Sequence, residues 1–436
     1  MKSFEDIFFV YNRDVTKTAR HYLNGLLQAG NRKNMEHMSE VVPDSNHQSL
    51  HHFISNSNWD YQEVINRVGK NVGKLLNKEN TNTCLIIDET TFTKKGKFSA
   101  GVARQYLGSV GKIDNGQVGV FSSLCNGDKV SIVGAKLYLP KEWTNDKERC
   151  AKAKVPDDIG FKTKDTLAYE LILEARELGI PFKYSALDAG YGKGLGLMNQ
   201  LDSVNEKFII DIHKNQQFYI EDPQPFLPKA TGRGPKPKIY KSTKKLKVVE
   251  ELVKSFSKNK WEKVILRKSK DLGEIKYDII SLPIWTFDKK TGEKKNWNLV
   301  CRRNSITKDD YKYSLCNEPL TTPKIKLAQM QGQRYWVERS FQDAKSACGM
   351  ADYQIRSWVG WHKHMALVMM TMNFMLSEKL LHKETIPLLS SKDIEIILAN
   401  LLPAKNKTID AVLKQMTSRH KQRHRSLESK IKYASG

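Results

Sequence analysis

Three acids in this chain stand where chemistry is expected, at the end of an apolar run or on a patterned helix. Asp88 follows the run Cys84–Ile87, Asp188 follows Tyr184–Leu187, and Glu338 lies in a later amphipathic stretch. Gaps of 100 and 150 residues separate the three acids. Two aspartates and a later glutamate supply the oxygen donors that a two-metal site for cleaving phosphodiesters requires. These acids are therefore the candidate catalytic residues and metal ligands.

Strand-like and helix-like segments surround the two aspartates in a regular order. The apolar runs are typical of strands covered on both faces, and Asn126-Gly127 is a strong hairpin signal. In chain order we predict strands Cys84–Ile87, Gln117–Leu124 and Val130–Leu139, helix Thr163–Leu178, strand Tyr184–Leu187, helix Leu195–Leu201 and strand Phe208–Ile212. Acids that end the first and fourth strands belong at the ligand-binding edge of an α/β sheet. The order β-β-β-α-β-α-β therefore predicts an α/β fold with a ribonuclease H-like mixed sheet core.

The remaining segments flank or interrupt this core. Residues 14–80 show helical spacing, and a loop rich in proline and glycine opens a β-rich stretch before Glu338. We expect a helical N-terminal DNA-binding region (1–80), a first part of the catalytic core (81–213), a β-rich basic insertion domain (214–323), a second part of the core with the Glu338 helix (324–383), and a basic helical C-terminal region (384–436). A helical cap without DNA contacts is the alternative for the N-terminal region.

The charge balance indicates a polyanionic partner. The 436 residues include 72 Lys and Arg against 48 Asp and Glu, a formal net charge of +24, and such an excess favours nucleic acid over a membrane surface. The densest long basic stretch, residues 229–270, has 15 Lys and Arg against three Glu. Arg233, Lys236 and Lys238 are its candidate DNA contacts, and a solvated charged face is the alternative.

Cysteine usage and hydropathy indicate a cytoplasmic protein. Six cysteines are scattered without a Cys-x-x-Cys pair, as reduced thiols would be. The N-terminus carries acids where a signal peptide would be apolar. The most apolar segment, Met365–Leu376, is interrupted by Thr371 and Asn373 and is shorter than the ~20 residues that a bilayer requires. We expect this segment to be a buried helix.

The stretch Gln329–Ser346 predicts the helix that carries the last acid. On a period of 3.6 residues it has a polar face and a neighbouring apolar stripe that packs on the sheet. The polar face consists of Arg334, Glu338, Gln342 and Lys345, and the stripe of Val337, Phe341 and Ala344. A plain surface helix, in which Arg334 and Glu338 form a supporting ion pair, is the alternative.

Five longer stretches resemble the DDE transposases of bacterial insertion sequences, and more narrowly the cut-and-paste subgroup with a β-rich insertion before the catalytic Glu. They are Asp88–Gly96, Gly101–Gly108, Asn115–Phe121, Leu137–Trp143 and Arg334–Trp361. The resemblance extends from about residue 11 to about residue 380. It implies a metal-dependent endonuclease and strand transferase that binds transposon-end inverted repeats, cleaves them and joins the ends to target DNA.

The resemblance also implies cofactors and partners. Asp88, Asp188 and Glu338 would hold two Mg²⁺ ions per active site, with Mn²⁺ as a substitute and Asp88 as the bridging ligand. The partners would be double-stranded DNA and a second copy of the chain, since a homodimer would pair two transposon ends. Such a protein is expected at the bacterial nucleoid.

The family carries a Tyr, Arg, Glu, Lys signature around its catalytic Glu. Arg334 and Lys345 match the Arg and Lys, which would contact DNA phosphates near the metals. The Tyr position falls on Gln331, and Tyr335 is close but out of register.

Further residues are candidates for DNA contact. Trp285 and Trp297 would stack on an unpaired base beside the cut, as insertion-domain tryptophans do in related transposases, and a hairpin core is the alternative. Arg419–Arg425 is expected to be a flexible phosphate-binding tail, with a merely solvated tail as the alternative. Glu89 is not counted as a ligand, because it alternates with Asp88 along an extended strand and points to the other face.

Two other functions compete with transposition. One is a transposase-derived DNA-binding protein without activity, which the presence of all three acids disfavours. The other is a ribonuclease H-like nuclease that does not transpose, which the long insertion and the helical N-terminal region disfavour. The glycine run Gly190–Gly196 fails the dinucleotide-binding spacing and predicts a turn beside Asp188.

Overall fold

The structure is a computed structural model that describes residues 1–434 except 31, 78–81, 230–231, 233–235, 270–272 and 406–407. Its helices are α1 (Thr16–Gln28), α2 (Met35–Val41), α3 (His47–Ser55), α4 (Tyr61–Leu76), α5 (Lys141–Thr144), α6 (Lys147–Lys152), α7 (Lys164–Glu177), α8 (Gly196–Ser203), α9 (Val249–Lys254), α10 (Lys324–Gln333), α11 (Tyr335–Ser346), α12 (Trp358–Leu381), α13 (Ser391–Leu401) and α14 (Ile409–Ala434). Single 3₁₀ segments are Lys2–Phe8 and Lys258–Lys260.

The strands are β1 (Phe9–Val10), β2 (Arg13–Asp14), β3 (Cys84–Thr93), β4 (Ala103–Leu107), β5 (Lys112–Asn126), β6 (Lys129–Leu137), β7 (Tyr184–Leu187), β8 (Phe208–Asp211), β9 (Gln217–Phe218), β10 (Lys247–Val248), β11 (Glu262–Ser269), β12 (Gly273–Phe287), β13 (Lys294–Asn304) and β14 (Lys312–Cys316). The predicted turn between β5 and β6 is present, with Gly127 at a φ of 60°. The predicted helix before β7 is α7, which the Thr163 side chain caps by accepting from the Thr166 N–H.

Ten of the described strands form one mixed sheet in the order β11-β12-β13-β14-β8-β7-β3-β5-β4, with β6 also paired to β5. Within it, β3, β7 and β8 are parallel, while β5 and β6 are antiparallel. The central order β6-β5-β3-β7-β8 with these directions is that of a ribonuclease H-like core. The predicted fold class is therefore confirmed.

The strands expected in the insertion extend this sheet. β14 pairs with β8 through Ser314 opposite Asp211, Leu315 opposite Ile210 and Cys316 opposite Ile209. β13, β12 and β11 then follow outward. The basic β-rich stretch and the catalytic core thus share one set of backbone hydrogen bonds.

Helices cover both faces of the core sheet. On one face, Phe121 of β5 packs on Phe341 of α11 and Trp361 of α12, with ring centroids 5.6 and 6.0 Å apart. On the other face, α7 packs so closely that a Cβ at Gly134 would lie 2.9 Å from Leu171 Cδ2. The helix expected to carry the last acid therefore packs on the same face as Phe121.

The N-terminal helices pack around α12, which contains the predicted buried segment. Nearly all of its first 19 residues are buried, and the Tyr22 hydroxyl of α1 lies 2.8 Å from His364 Nδ1 of α12. The prediction of a buried helix is confirmed. Among the residues that the structure describes, no helix has the length and apolar character needed to cross a membrane.

Two helix predictions differ from the structure. The expected continuous helix Gln329–Ser346 is divided into α10 and α11, and Arg334 lies at the junction, where Val337 N donates to the Arg334 carbonyl oxygen at 3.2 Å. The prediction of a flexible tail at Arg419–Arg425 is wrong. That segment lies within α14, and Arg419 forms ion pairs with Glu36 and Glu40 of α2.

Candidate active site

Asp88 and Asp188 lie side by side at one edge of the parallel strands. Ile87 of β3 is in register with Leu187 of β7, and each aspartate is the next residue along its chain. β7 ends at Leu187, but β3 continues to Thr93 because the long strand β5 keeps pairing with it. The sequence predicted that Asp88 ends its strand. In the structure Asp88 lies within β3, but still at the edge of the sheet where parallel pairing stops.

Burial and the neighbouring carboxylate disturb the protonation of Asp88. Burial, followed by the neighbouring Asp188 carboxylate, raises the pKa of Asp88 to about 7, while Arg334 acts in the opposite direction. The Glu89 N–H donates to Asp88 Oδ1 at 2.7 Å, and the Gly190 N–H donates to Asp188 Oδ1 at 2.9 Å. The turn predicted from the glycine run is present after β7, and its Gly190 N–H holds the Asp188 carboxylate.

Arg334 is the cation at the centre of the acids. Its Nε donates to Asp211 Oδ2 at 2.9 Å, and its Nη1 lies 3.4 Å from Asp88 Oδ2. Burial alone would lower the pKa of Arg334, but the carboxylates of Asp211, Asp88, Asp188 and Glu338, in that order, raise it above its ordinary value. All four acids are therefore within electrostatic reach of one guanidinium group.

Glu338 approaches from the helix side. Asp88 is directly opposite Phe121 in the β3–β5 pairing, so both side chains project from the face on which α11 packs. Glu338 is in the first turn of α11 and is exposed. The structure thus places Asp88 and Asp188 side by side, and Glu338 on the helix that covers the same face, within electrostatic reach of Arg334.

The donor chemistry of this group suits a hard divalent cation, because its carboxylate oxygens share excess negative charge. Within the described part of the chain, however, no three His, Cys, Asp or Glu side chains are close enough to hold an ion as they stand.

Lys345 reaches the same face of β3. Its Nζ donates to Thr90 Oγ1 at 2.7 Å, and burial lowers its pKa. Thr90 is two residues beyond Asp88 and therefore on the same side of the strand. Lys94, four residues beyond Thr90 and just past the end of β3, lies with Nζ 3.5 Å from the centroid of the Tyr353 ring, and burial lowers its pKa to about 8. Lys94 was not predicted as a site residue, because in the sequence it is one of several lysines in a loop-like run.

Glu89 lies on the opposite face, as predicted. Its Oε2 atom is 2.6 Å from Lys164 Nζ at the start of α7. The alternation along β3 thus separates Glu89 from the acids of the site, although the two residues are adjacent in sequence.

The other DNA-contact candidates have different surroundings. Trp297 is only 2% exposed and packs edge-on against Phe208, with ring centroids 5.5 Å apart. The structure therefore contradicts its proposed role as a stacking surface and places it in the sheet core. Trp285 is partly exposed, with Lys294 Nζ 5.6 Å from its ring centroid. Lys236 and Lys238 are exposed, and Arg233 lies outside the described residues.

The two residues near the signature Tyr position differ in exposure. Gln331 is buried, and its Nε2 donates to Ser314 Oγ at 2.7 Å. Tyr335 is half exposed and packs edge-on against Trp336, with ring centroids 5.3 Å apart. Gln331 therefore points into the protein, whereas Tyr335 lies at the surface.

Asp211 was not predicted as a site residue. Its position near the end of a predicted strand, Phe208–Ile212, was the available signal, because the fourth strand ends at an acid in the same way. Because the predicted strand extended to Ile212, Asp211 was interpreted as a residue inside the strand.

Comparison with known proteins relates the chain to nucleases and transposases. It is 24% identical over 327 residues to the "Probable transposase for insertion sequence element IS701" of Microchaete diplosiphon, which covers 74% of this chain and 73% of that protein. The crystal structure of the NurA nuclease from Sulfolobus solfataricus aligns with 70% of this chain and 91% of its own at 11% identity, with a TM-score of 0.29. A TM-score that low does not indicate a common fold.

A family model described as "DDE superfamily endonuclease" matches residues 6–271, which include Asp88, Asp188 and Asp211. Glu338 lies beyond the matched residues. The match covers more than half of the chain, and the chain therefore belongs to the DDE superfamily of endonucleases.

Proposed function

We propose that this protein is a DNA transposase that cleaves the ends of its own insertion sequence and joins them to target DNA. The observation that carries the proposal is the pairing of Asp88 and Asp188 at the edge of a ribonuclease H-like sheet, with Arg334 within electrostatic reach of both and of Glu338. Membership of the endonuclease superfamily and similarity to a probable insertion-sequence transposase support the same reaction class.

Asp88, Asp188 and Glu338 would hold two divalent ions, Mg²⁺ or Mn²⁺. When bound, such ions supply positive charge to the attacking and leaving oxygens of a phosphodiester. Asp88 carries a proton more readily than an ordinary aspartate because of its burial and of Asp188. It must lose that proton before it can serve as a ligand.

Arg334 and Lys345 would hold the DNA backbone at the site. Arg334 presents a planar donor fork next to Asp88, and Lys345 stands near Thr90, farther along the same strand face. Arginine recognises phosphate with two parallel hydrogen bonds, whereas lysine acts as a point charge. Together they would fix the scissile phosphate across the carboxylates.

DNA also explains the charge of the whole protein. A net charge of +24 and the exposed Lys236 and Lys238 of the basic stretch provide a surface for phosphates. Two copies acting as a dimer would bring the two ends of the element together, as the sequence resemblance implies.

A cleavage assay tests the proposal. The purified protein is incubated with Mg²⁺ and labelled DNA that carries the flanks of its own gene, and we expect cuts at the element's ends. Asp188→Ala should lower the cleavage rate roughly 10³-fold or more, because a metal ligand is lost. Glu89→Gln is the matched control on the opposite face and should cleave like the wild type. Equal cleavage by Asp188→Ala and wild type would refute the assignment of the acids.

Metal binding has a separate readout. Mn²⁺ should raise the melting temperature of the wild-type protein and of Glu89→Gln, because it binds the folded state. The same concentration should have a much smaller effect on Asp188→Ala.

The alternative is a DNA-binding protein without activity. The lack of a complete three-residue ligand set among the described residues is the observation that favours it. Specific binding to the flanking DNA without Mg²⁺-dependent cleavage would select this alternative.

A further inference from the structure

A third aspartate continues the row formed by Asp88 and Asp188. Leu187 of β7 is in register with Ile210 of β8, and Asp211 is the next residue. Three neighbouring parallel strands therefore each present an aspartate at the same level of the sheet. The side chain of Asp211 is 18% exposed, and that of Arg334 is 22% exposed.

Both carboxylate oxygens of Asp211 are engaged by neighbours. Oδ2 accepts from Arg334 Nε at 2.9 Å, and Oδ1 accepts from Ser314 Oγ at 2.6 Å. Ser314 is fully buried on β14 and itself accepts from Gln331 Nε2 at 2.7 Å. A series of hydrogen bonds thus runs from the buried side of the sheet to the candidate site, through Gln331, Ser314, Asp211 and Arg334.

These hydrogen bonds divide the guanidinium group of Arg334 into two functional edges. Asp211 takes the Nε edge, and Nη1 faces Asp88 at the longer distance of 3.4 Å. Without Asp211, the strongest remaining attractions of Arg334 would be to Asp88, Asp188 and Glu338. The guanidinium would then be drawn into the carboxylates that a metal needs.

We propose that Asp211 is a positioning residue that holds Arg334 beside the catalytic carboxylates, with Ser314 and Gln331 fixing Asp211. This inference rests on the proposed function for its catalytic consequence. It also gives Gln331 a role, since the amide that replaces the signature Tyr supports the Arg from inside the protein. Asp211 is not a metal ligand in this scheme; it acts through Arg334.

Kinetics of Asp211 variants test the proposal. Asp211→Ala should lower the cleavage rate at saturating DNA and Mg²⁺ by roughly 10- to 100-fold, the cost of misplacing a group by about 1 Å. The KM for DNA and the Mg²⁺ concentration for half-maximal rate should stay near their wild-type values. Asp211→Asn keeps an acceptor for Arg334 Nε and should recover part of the rate.

Asp202→Ala is the matched control. Asp202, at the end of α8, also forms an ion pair, with Lys295 Nζ at 2.8 Å. It accepts from Asn317 Nδ2, and Asn317 in turn accepts from the Phe208 N–H at the opposite end of β8 from Asp211. This variant should cleave like the wild type. A large increase in the Mg²⁺ requirement of Asp211→Ala would overturn the proposal by identifying Asp211 as a ligand.

A double-variant comparison shows whether Asp211 acts through Arg334. In an Arg334→Met background, Asp211→Ala should cause little further loss of rate, because the group that it positions is gone. The same 10- to 100-fold loss in both backgrounds would overturn the proposal.

A measurement without catalysis separates this inference from the proposed function. Urea unfolding of the metal-free wild type, the two single variants and the double variant gives the coupling between Asp211 and Arg334. We expect the coupling to change the folding equilibrium constant by about fivefold or more. If the wild type fails to cleave but this coupling is present, the proposed function fails while the pairing stands; additive effects overturn the pairing itself.

Discussion

At the scale of single residues, the site depends on which carboxylates have a close hydrogen-bonded cation and which do not. Asp211 has a close arginine and a serine, whereas Asp88 has a distant arginine and a repelling neighbour. Similar side chains one strand apart are therefore prepared for different roles. Asp211 is fixed through both of its oxygens, whereas Asp88 lies beside a second carboxylate whose repulsion a cation would relieve.

Two buried histidines make the stability of the fold depend on pH. Burial lowers the pKa values of His362 and His364 to about 4. His364 Nδ1 is 2.8 Å from the Tyr22 hydroxyl and its Nε2 is 3.2 Å from the Gly349 carbonyl oxygen, an arrangement that suits the neutral ring. Below pH 6.5 the unfolded chain binds protons that the folded chain does not, so folding stability falls between pH 6.5 and about 4.

We expect each histidine to contribute roughly 3 kcal/mol to this loss. Urea unfolding of the wild type and of His364→Gln at several pH values between 7 and 4 measures it. The variant should lose about that much less stability over the range. An identical pH dependence in both proteins would show that His364 is not held neutral by the fold.

The predicted acids could be found from sequence because each follows an apolar run or occupies a patterned helix. Asp211 was missed although it follows the apolar run Phe208–Ile210, and Lys94 has no such signal. The importance of both arises from partners distant in sequence. Arg334 is 123 residues from Asp211, and Tyr353 is 259 residues from Lys94. Trp297 was misjudged for a related reason, since β-strand tryptophans can face a core or a ligand, and only the packing on Phe208 distinguishes the two.

At the scale of elements, the turn after β7 connects two of the aspartates. A Cβ at Gly192 would lie 1.9 Å from the carbonyl oxygen of Asp211, whereas the space around a Cβ at Gly194 is empty within 4 Å. The Gly192 carbonyl oxygen also accepts from Gln216 Nε2 at 2.7 Å. The turn that holds Asp188 is thus packed directly on the backbone of β8.

Gly192→Ala should therefore disturb both aspartates. The clash is with backbone, so it cannot be relieved by a rotamer change, and we expect a loss of about 1–3 kcal/mol in the free energy of unfolding. The cleavage rate should fall as well. Gly194→Ala is the matched control and should leave both quantities near wild type. Equal stability of the two variants in urea unfolding would contradict the packing described here.

Element boundaries were predictable where local signals exist and not where distant pairing decides them. α7 has its Thr163 cap and the hairpin has Gly127, so both were predicted. β3 extends beyond its apolar run because β5 pairs with it up to Thr93. The division between α10 and α11 was not predictable, because no proline marks it in the sequence. The close packing of Gly332 on Leu266 of β11 is visible only in the three-dimensional structure.

At the scale of the whole molecule, a buried ion pair joins distant parts of the chain. Lys33 Nζ lies 2.8 Å from Glu395 Oε1 of α13, and the two side chains are 1% and 7% exposed. The same ammonium donates to the carbonyl oxygens of Leu26 in α1 and Ala347 after α11, at 2.7 and 2.6 Å. The N-terminal helices, the end of the Glu338 helix and the C-terminal region are therefore tied at one point.

Lys33→Met should cost about 3 kcal/mol or more in the free energy of unfolding, because it leaves a buried carboxylate and two carbonyl groups without their shared donor. Lys392→Met is the matched control. It removes the other lysine of the same carboxylate, 2.7 Å from Glu395 Oε2 but 65% exposed, and should cost less than about 1 kcal/mol. Chemical denaturation measures both, and similar losses would argue against Lys33 as the joining residue.

The β14–β8 pairing limits how this protein can be shortened. A chain from which residues 214–323 had been cut would leave β8 with one row of bare N–H and C=O groups along its length. Exposed strand edges recruit other edges, so the trimmed protein should form edge-to-edge aggregates rather than an isolated catalytic core. Attempts to produce a minimal nuclease from this chain should therefore retain β14 or replace it with a strand that covers β8.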